Sequence, residues 1–346
     1  MRSVVKYPVW VVMTAALAIV LGVAGCQRRP LEDPDFYTKV KINVNVKSVQ
    51  NVTCDIYNPD IPVPKISPEV MHVSFYNVEG DKLLAESFIS NLETDAEGNI
   101  SISGNVSILP GEYKMMAYQF GEERAQVGQY RDYREAYAYT DPLSESDIKS
   151  LSLKANYASI GQKLRYQPEH IVAAHSDSET IPYHQGVYTI EAQAGTLVQT
   201  YYLQVGINGA EYVSMSRAVI TSMSPGVRIS TGKEDVAEPC AIYIPLIKSE
   251  DKGRSVICNV FNTFGRVEDS TNKLYLSFDV RTVDGQTITK EYDITELFKS
   301  EMCVKHHWLI IDDVIDIPKP VTPTPGGGGF DPSVKDWEDE HYDISI

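Results

Sequence analysis

Period-two alternation of apolar and polar side chains recurs along this chain, and sustained helical periodicity does not. Ile42, Val44 and Val46 alternate with Lys41, Asn43, Asn45 and Lys47. Ile100, Ile102, Val106 and Ile108 do the same across Gly104, where the pattern predicts a bulge or bend. Leu274, Leu276, Phe278 and Val280 alternate with Tyr275, Ser277 and Asp279; the Asp284-Gly285 turn follows, then a return strand through Ile288 to Ile294. An Asp-Gly pair between alternating runs is a strong hairpin signal. Alternation of this kind puts one face of a strand in a core and the other in water, as antiparallel sheets do. The fold class is all-β.

Strands group into two series. The first spans residues 36–120 and is interrupted by a Pro-rich loop from Asn58 to Pro68. Residues 121–168 are richer in Glu, Arg, Tyr and Ala, which suggests short helices or long loops. A second series runs from Gly186 to Ile317. The division expected from this is 36–175 for an N-terminal β-sandwich and 176–317 for a C-terminal one. At 346 residues the chain has the length of about two domains. Its 43% hydrophobic content is enough for folded cores and excludes wholesale disorder.

The net charge of −16 excludes a nucleic-acid partner, because phosphates require a basic face. Tyrosine is plentiful (21) and phenylalanine is not (9), a balance suited to half-wet strands.

Residues 1–25 are different material. Arg2 and Lys6 precede an uncharged run from Tyr7 to Gly25, which closes in Val23-Ala24-Gly25 before Cys26. A positive start, an apolar middle and small residues before the cut read as an export signal. The cysteine placed there resembles a bacterial lipobox, with Cys26 acylated as the first residue of the mature chain. A plain signal peptide and an uncleaved anchor helix are the alternatives, since the run is also long enough to span a bilayer. Cleavage would remove Arg2 and Lys6 and no acid, carrying the net charge from −16 to −18. Several acyl chains at about 0.8 kcal/mol per buried methylene would hold the protein durably in lipid. Gln27 follows Cys26 where an inner-membrane retention signal would usually place Asp, which favours the outer membrane. Residues 26–35 are the tether.

Cys54, Cys240, Cys258 and Cys303 remain. An even number in an exported chain permits disulfides, but three lie in the C-terminal half and one alone in the N-terminal half. Buried free thiols are the favoured state.

Residues 318–346 form a separate module. The alternating prolines of 318–325 are stiff, and the four glycines 326–329 form a hinge. Beyond them Phe330, Val334, Trp337, Ile344 and Ile346 stand among acidic residues. A tail that keeps aromatic and β-branched residues behind a flexible linker is built to pair with a surface. These five are the candidate anchors for such pairing.

Motifs of catalysis are scarce. There is no G-x-S-x-G, H-E-x-x-H or C-x-x-C. Ser146 to Lys149 matches S-x-x-K without the companion motifs of that enzyme class. Gly226 to Lys233 approaches a P-loop, but five residues separate its glycines and Glu234 follows the lysine. His306, His307 and Trp308 invite a metal reading, which fails on a strand because neighbours point to opposite faces; Asp312 and Asp313 fail likewise. Neither catalytic residues, nor a metal, nor a cofactor is expected, and the chain reads as a non-enzyme.

Taken together these pieces resemble the fimbrillin-like superfamily of type V pili in Gram-negative anaerobes, including its FimB-type fimbrial anchor lipoproteins. The lipobox at Val23 to Cys26 carries part of the resemblance. Leu109-Pro110-Gly111-Glu112-Tyr113-Lys114 looks like that family's L-P-x-G-x-Y lead into a late strand of the first sandwich. Ala218 to Pro225 followed by Val227 to Lys233, Asn262 to Gly265 with the 274–294 hairpin, and the run from Gly329 to Trp337 add to it. The resemblance implies two transthyretin-like β-sandwich domains in series with a C-terminal strand tail, and a structural, anchoring or accessory role in pilus assembly and cell adhesion. It also implies assembly by strand donation, in which backbone hydrogen bonds supply affinity and alternate side chains fix register, with Phe330, Val334, Trp337, Ile344 and Ile346 as candidate donor-strand anchors acting either on a neighbouring subunit or back on the chain's own sandwich.

In that family polymerising subunits are trimmed after a basic residue, which removes the first strand. Arg28, Arg29, Lys39, Lys41 and Lys47 are the candidates here. The expected partners are outer-membrane lipid through Cys26, other pilus subunits, and a host or glycan ligand, at the cell surface. A glycan-binding lipoprotein is the rival reading, motivated by the tyrosines and Trp308.

Overall fold

The computed structural model describes residues 36–46, 66, 68–96, 99–119, 124–151, 161–234, 238–267 and 273–320. They form an all-β fold of two sandwiches. The first uses β1 (Thr38–Val46), β2 (Met71–Asn77), β3 (Leu83–Ile89), β4 (Asn91–Thr94), β5 (Ile100–Ile108) and β6 (Gly111–Gln119). A connecting segment follows, with β7 (Ala125–Gly128), β8 (Tyr137–Thr140), α1 (Glu145–Leu151) and the short β9 (Leu164–Arg165). The chain then returns to the first sandwich as β10 (Val172–Ile181) and β11 (Val187–Thr196). The second sandwich is β12 (Gln199–Asn208), β13 (Val213–Met223), β14 (Gly226–Arg228), β15 (Cys240–Asp251), β16 (Arg254–Thr263), β17 (Tyr275–Thr282), β18 (Thr287–Asp293), α2 (Glu301–His306) and β19 (Trp308–Asp316).

The first sandwich is one ribbon in the order β3-β2-β6-β10-β11-β1-β5-β4, folded on itself. Two chain features close it. On one side β10 and β11 pair only at Val172↔Thr196 and Ala173↔Gly195, then part to opposite layers. On the other, β3 runs through Ser90 directly into β4, so a single chain crosses from one layer to the other. Val40, Ile42, Val44 and Val46 of β1 meet Met71, Val73 and Phe75 of β2 and Met115 and Ala117 of β6 in the core between the layers.

This placement moves the domain boundary. β10 and β11 belong to the first sandwich, which therefore reaches Thr196 and does not close at residue 175; the second opens at Gln199. The cause is the parallel pairing of β11 with β1, a contact between segments nearly 150 residues apart.

Gly104 is not at a bulge. The β1–β5 ladder runs through Ile42↔Gly104 without a register shift. A Cβ on Gly104 would instead stand 2.5 Å from Ile89 Cγ2, so glycine there lets the β3–β4 corner sit on β5.

The lead-in at residues 109–114 has a definite geometry. β5 ends before Leu109, Pro110 turns the chain, and Tyr113 of β6 folds back so that its hydroxyl donates to the Leu109 carbonyl at 2.8 Å. Its ring packs edge-on to Phe75, 5.9 Å between centroids.

In the second sandwich β15 serves both layers. Residues up to Leu246 pair with β13, and Ile247 to Asp251 pair with β16. The 274–294 hairpin forms as expected: β17 and β18 pair from Tyr275↔Asp293 to Arg281↔Thr287 around Gly285 at φ 84°. Free rotation at glycine makes that left-handed turn inexpensive.

The connecting segment lines both units. β7 and β8 join β14 of the second sandwich in a three-stranded sheet. This sheet covers the outer face of β2 and β6, where Tyr76, Met116 and Tyr118 pack with Tyr133, Ala138, Val227 and Phe264. Leu143 and Leu164 pack on Val219 and Ala241 of the second sandwich.

Candidate assembly surface

A β-sandwich can pair with another strand only at its strand edges or in the slots its own strands occupy. β1 is an interior strand, paired over nine positions with antiparallel β5 and over eight with parallel β11. Its burial alternates without a break: Thr38, Val40, Ile42, Val44 and Val46 are buried, and Lys39, Lys41 and Asn45 are exposed. Side chains lock the same register. Asn43 Nδ2 donates to Glu191 Oε2 at 2.8 Å, Gln193 Nε2 donates to the Asn45 carbonyl at 2.8 Å, and Thr38 Oγ1 donates to the Pro182 carbonyl at 2.7 Å. The slot between β5 and β11 is thus a hydrophobic groove filled by the chain's own first strand. Each of the four apolar anchors contributes about 1.5–3 kcal/mol by burial.

The outer edges are guarded in the ways that limit strand pairing. β4 has only four residues, all exposed, with Glu93 among them. The start of β3 is covered: Leu83 N–H donates to the Arg131 carbonyl at 3.0 Å, and Lys82 pairs with Asp132 at 2.6 Å. β18 exposes Lys290 and Glu291. β19 carries a bulge at Asp312 and Asp313, where the ladder to β12 skips from Val205↔Ile311 to Gly206↔Val314. Both aspartates are exposed there, and Asp313 accepts from the Tyr292 hydroxyl at 2.8 Å.

A polar row with clear electrostatics lies on the outer face of β2, β3 and β6. The registers His72↔Phe88 and His72↔Tyr118 set three rings side by side. Phe88 stacks on His72 at 4.8 Å, and Tyr130 meets the imidazole edge-on at 5.5 Å. His72 Nδ1 is 2.7 Å from the Tyr118 hydroxyl, and Nε2 is 3.0 Å from Glu86. The Glu86 carboxylate only accepts, so Nε2–H faces it and Nδ1 accepts from the Tyr118 hydroxyl; burial raises the Tyr118 pKa. Desolvation lowers the His72 pKa against the opposing pull of Glu86. Both ring nitrogens of His72 are engaged, while the buried Ser74 hydroxyl, on the same face opposite Glu86, has no hydrogen-bond partner. The work of the row is to pin the connecting segment.

Alongside, Lys114 Nζ lies 2.5 Å from Asp81 Oδ1, and Arg134 Nε lies 2.9 Å from Oδ2. Lys114 and Asp81 are both buried. Asp81 holds φ 57°, a turn conformation that aspartate tolerates better than most residues.

The residues singled out from the sequence fall as follows. Cys26, Phe330, Val334, Trp337, Ile344 and Ile346 lie outside the described residues, as do Cys54, Arg28, Arg29 and Lys47. Cys240, Cys258 and Cys303 are buried free thiols. Burial pushes Cys240 and Cys303 up to about 12 and raises Cys258 as well. Ser146 and Lys149 sit on the short surface helix α1, capped by Ser144, whose Oγ accepts from Asp147 N–H at 3.1 Å. The near P-loop is strand β14 and a turn, in which Gly232 N–H donates to the Arg228 carbonyl at 2.8 Å.

His306 and His307 are not on a strand. His306 ends α2, and His307, at φ 55°, is its left-handed cap. His307 stacks on Tyr201 at 4.6 Å, while His306 stacks on Trp308 at 4.8 Å. The signal was present in the sequence as the Ser300 cap, with Glu301 in the first turn and Lys305 in the last. Trp308 is buried among Tyr202, Val256 and Cys258, so it presents no face to a sugar. No local pattern points to His72 and Glu86, which only the β2–β3 pairing brings together.

The model of a family described as "Domain of unknown function (DUF5119)" matches residues 44–243. A Bacteroides ovatus protein described as "Putative fimbrium anchoring subunit Fim4B" is 22% identical over 353 residues, covering 94% of each chain. A solved structure described as a "putative adhesin", also from Bacteroides ovatus, aligns over 86% of this chain and 99% of its own, with a TM-score of 0.55 and 20% identity. The fimbrial anchor protein Mfa2 from Porphyromonas gingivalis aligns over 80% of this chain and 90% of its own, with a TM-score of 0.44 and 13% identity. The fimbrillin-like resemblance drawn from the sequence holds.

Proposed function

The chain belongs to the family described as "Domain of unknown function (DUF5119)", and from that premise we propose that it is a non-enzymatic, pilus-associated surface lipoprotein, an anchoring or accessory subunit. The relative described as a fimbrium anchoring subunit, alignable over nearly the whole of both chains, supports the pilus role. The single structural observation behind anchoring over shaft-building is β1. A subunit that receives a neighbour's strand must first lose its own, and here that strand is held in the slot by nine and eight registered pairs, which supports a subunit that keeps it.

In this reading Cys26 carries the acyl chains that hold the protein in the outer membrane. The tail from Phe330 to Ile346 acts as the donated strand, contributing backbone hydrogen bonds and apolar anchors to the next subunit.

The test is made on the full chain in a pilus-bearing Gram-negative anaerobe. Labelled palmitate is expected on the unsubstituted protein and absent from Cys26→Ala. Pilus subunits are expected to co-purify with the full chain and to be lost when residues 326–346 are deleted. Palmitate labelling that persists in Cys26→Ala removes the lipid anchor. Failure of any pilus subunit to co-purify with the full chain removes the assembly role.

A further inference from the structure

The three-stranded sheet that joins the sandwiches has one face turned inward through Ala125, Val127, Ala138 and Val227. Its other face is ordered in two rows by register. Gly226, Tyr139 and Gln126 form one, and Arg228, Tyr137 and Gly128 form the other. Tyr137 and Tyr139 are half-exposed, 4.8 Å between ring centroids with planes 31° apart.

Glycine flanks each ring. A Cβ on Gly128 would come within 2.9 Å of the Tyr137 ring, so that ring lies along bare main chain. A Cβ on Gly226 would come 2.5 Å from the Ala138 carbonyl, so the position beside Tyr139 carries no side chain.

The rim is polar and internally organised. The Tyr139 hydroxyl donates to Gln126 Oε1 at 2.9 Å, and Gln126 Nε2 donates to Asp141 at 2.6 Å. Arg228 Nη1 pairs with Glu135 at 2.8 Å. Arg165 is near enough to oppose the raising of the Tyr139 pKa by burial. Arg228 and Arg165 cancel Glu135 and Asp141 in formal charge, so the patch is neutral on a chain of net charge −16.

We propose that Tyr137 and Tyr139 form a stacking platform for a neutral saccharide. The tilted, partly overlapping pair of rings offers half-exposed aromatic surface with hydroxyls at its edge. The amide, carboxylate and guanidinium groups beside them match a ligand that is apolar on its ring faces and hydroxylated around its rim. Nucleobases also stack on such rings, but their phosphates require the basic surface that this chain lacks. Neutrality of the patch excludes a strongly charged glycan by the same reasoning. The platform is built from the connecting segment and β14 of the second sandwich and is held by ladder hydrogen bonds, so little ordering opposes binding. This proposal does not depend on the pilus reading and stands or falls without it.

The test runs the full chain in native gels containing dextran, yeast mannan, inulin or galactan, with a non-binding protein as reference. Retardation by at least one of these is expected. It should weaken at least tenfold in the double variant Tyr137→Ala, Tyr139→Ala, and persist in Tyr137→Phe, Tyr139→Phe, which keeps the rings. Unchanged mobility in all four gels overturns the proposal, as does undiminished retardation of the folded alanine variant. Should that variant fail to fold, tyrosine nitration of the unsubstituted chain decides the matter. Protection of Tyr137 and Tyr139 by the retarding polysaccharide supports the platform, and equal nitration with and without it overturns the platform.

Discussion

Ile89 lies on the bare backbone of Gly104: the place of a Cβ on residue 104 is 2.5 Å from Ile89 Cγ2 and 2.8 Å from Ile89 Cβ. Ile89 is the last residue of β3 before the chain crosses into β4, so this contact is where the first sandwich closes. Gly104→Ala forces the corner away from β5. A loss of about 1–3 kcal/mol is expected, the range for overpacking a filled core. Urea unfolding followed by fluorescence checks it, and an unchanged midpoint would mean the corner yields freely.

Asp81 and Lys114 form the second dependence. Both are buried, and they sit 2.5 Å apart under the connecting segment. Asp81→Asn leaves a buried ammonium without its counter-charge, and breaking such a pair costs about 3–5 kcal/mol. Lys114→Met combined with Asp81→Asn removes both charges and is expected to recover at least half of that loss. A double-mutant cycle on unfolding midpoints measures the coupling; additive losses would show that the pair does not act as a unit.

Stability should depend on pH through three histidines. Burial lowers the pKa of His72, His170 and His307 from the ordinary value of 6.5. Below pH 6.5 the unfolded chain therefore binds protons that the folded chain still refuses, and acid favours unfolding. The contribution is complete above 6.5 and is lost as pH falls through the lower folded values. His170 Nδ1 is buried with no hydrogen-bond partner, which leaves its charged form without compensation. Unfolding midpoints at pH 7.5, 6.5 and 5.5 should fall in that order. The slope should flatten in His170→Gln, and an unaltered slope would assign the acid sensitivity elsewhere.

The alternation that marked β1, β5 and the β17–β18 hairpin was legible because those strands have one wet face and one dry face. β2 and β6 were harder, since the connecting segment buries both their faces and the period disappears: all of Met71 to Tyr76 is buried. The placement of β10 and β11 was not legible at all. Their partners are β6 and β1, and no local pattern near residue 180 reports a parallel contact with Lys39 to Val46. The tyrosine surplus was visible from composition. That Tyr137 and Tyr139 share a face with Gly128 and Gly226 follows from pairings across almost 90 residues of chain.

Chemical labelling follows from the thiols. Cys240, Cys258 and Cys303 are buried, and desolvation holds all three well above neutrality, Cys240 and Cys303 at about 12. The thiolate is the reactive form. Iodoacetamide at pH 8 should leave peptides bearing these three residues unmodified in native protein and modify them fully in denaturant. Rapid native labelling of any of them, read by mass spectrometry, would place that thiol at an opening absent from this structure.

The proteolytic behaviour of β1 bears most directly on function. Lys39 and Lys41 expose their side chains, so a trypsin-like protease meets its specificity residues on the surface. The peptide bonds beside them are fixed between β5 and β11, and cleavage requires that strand to leave both neighbours. Leaving exposes Val40, Ile42, Val44 and Val46, each held by about 1.5–3 kcal/mol of burial, which makes the opened state rare. Brief trypsin treatment of the native chain should therefore give no cut after Lys39 or Lys41 by N-terminal sequencing. Ile42→Asp should release both, because it puts a charge in the core and loosens the strand without touching either lysine. Cleavage in the unsubstituted protein at the rate of the denatured chain would show that β1 is not locked, and the case for an anchoring subunit that keeps its own first strand would fail with it.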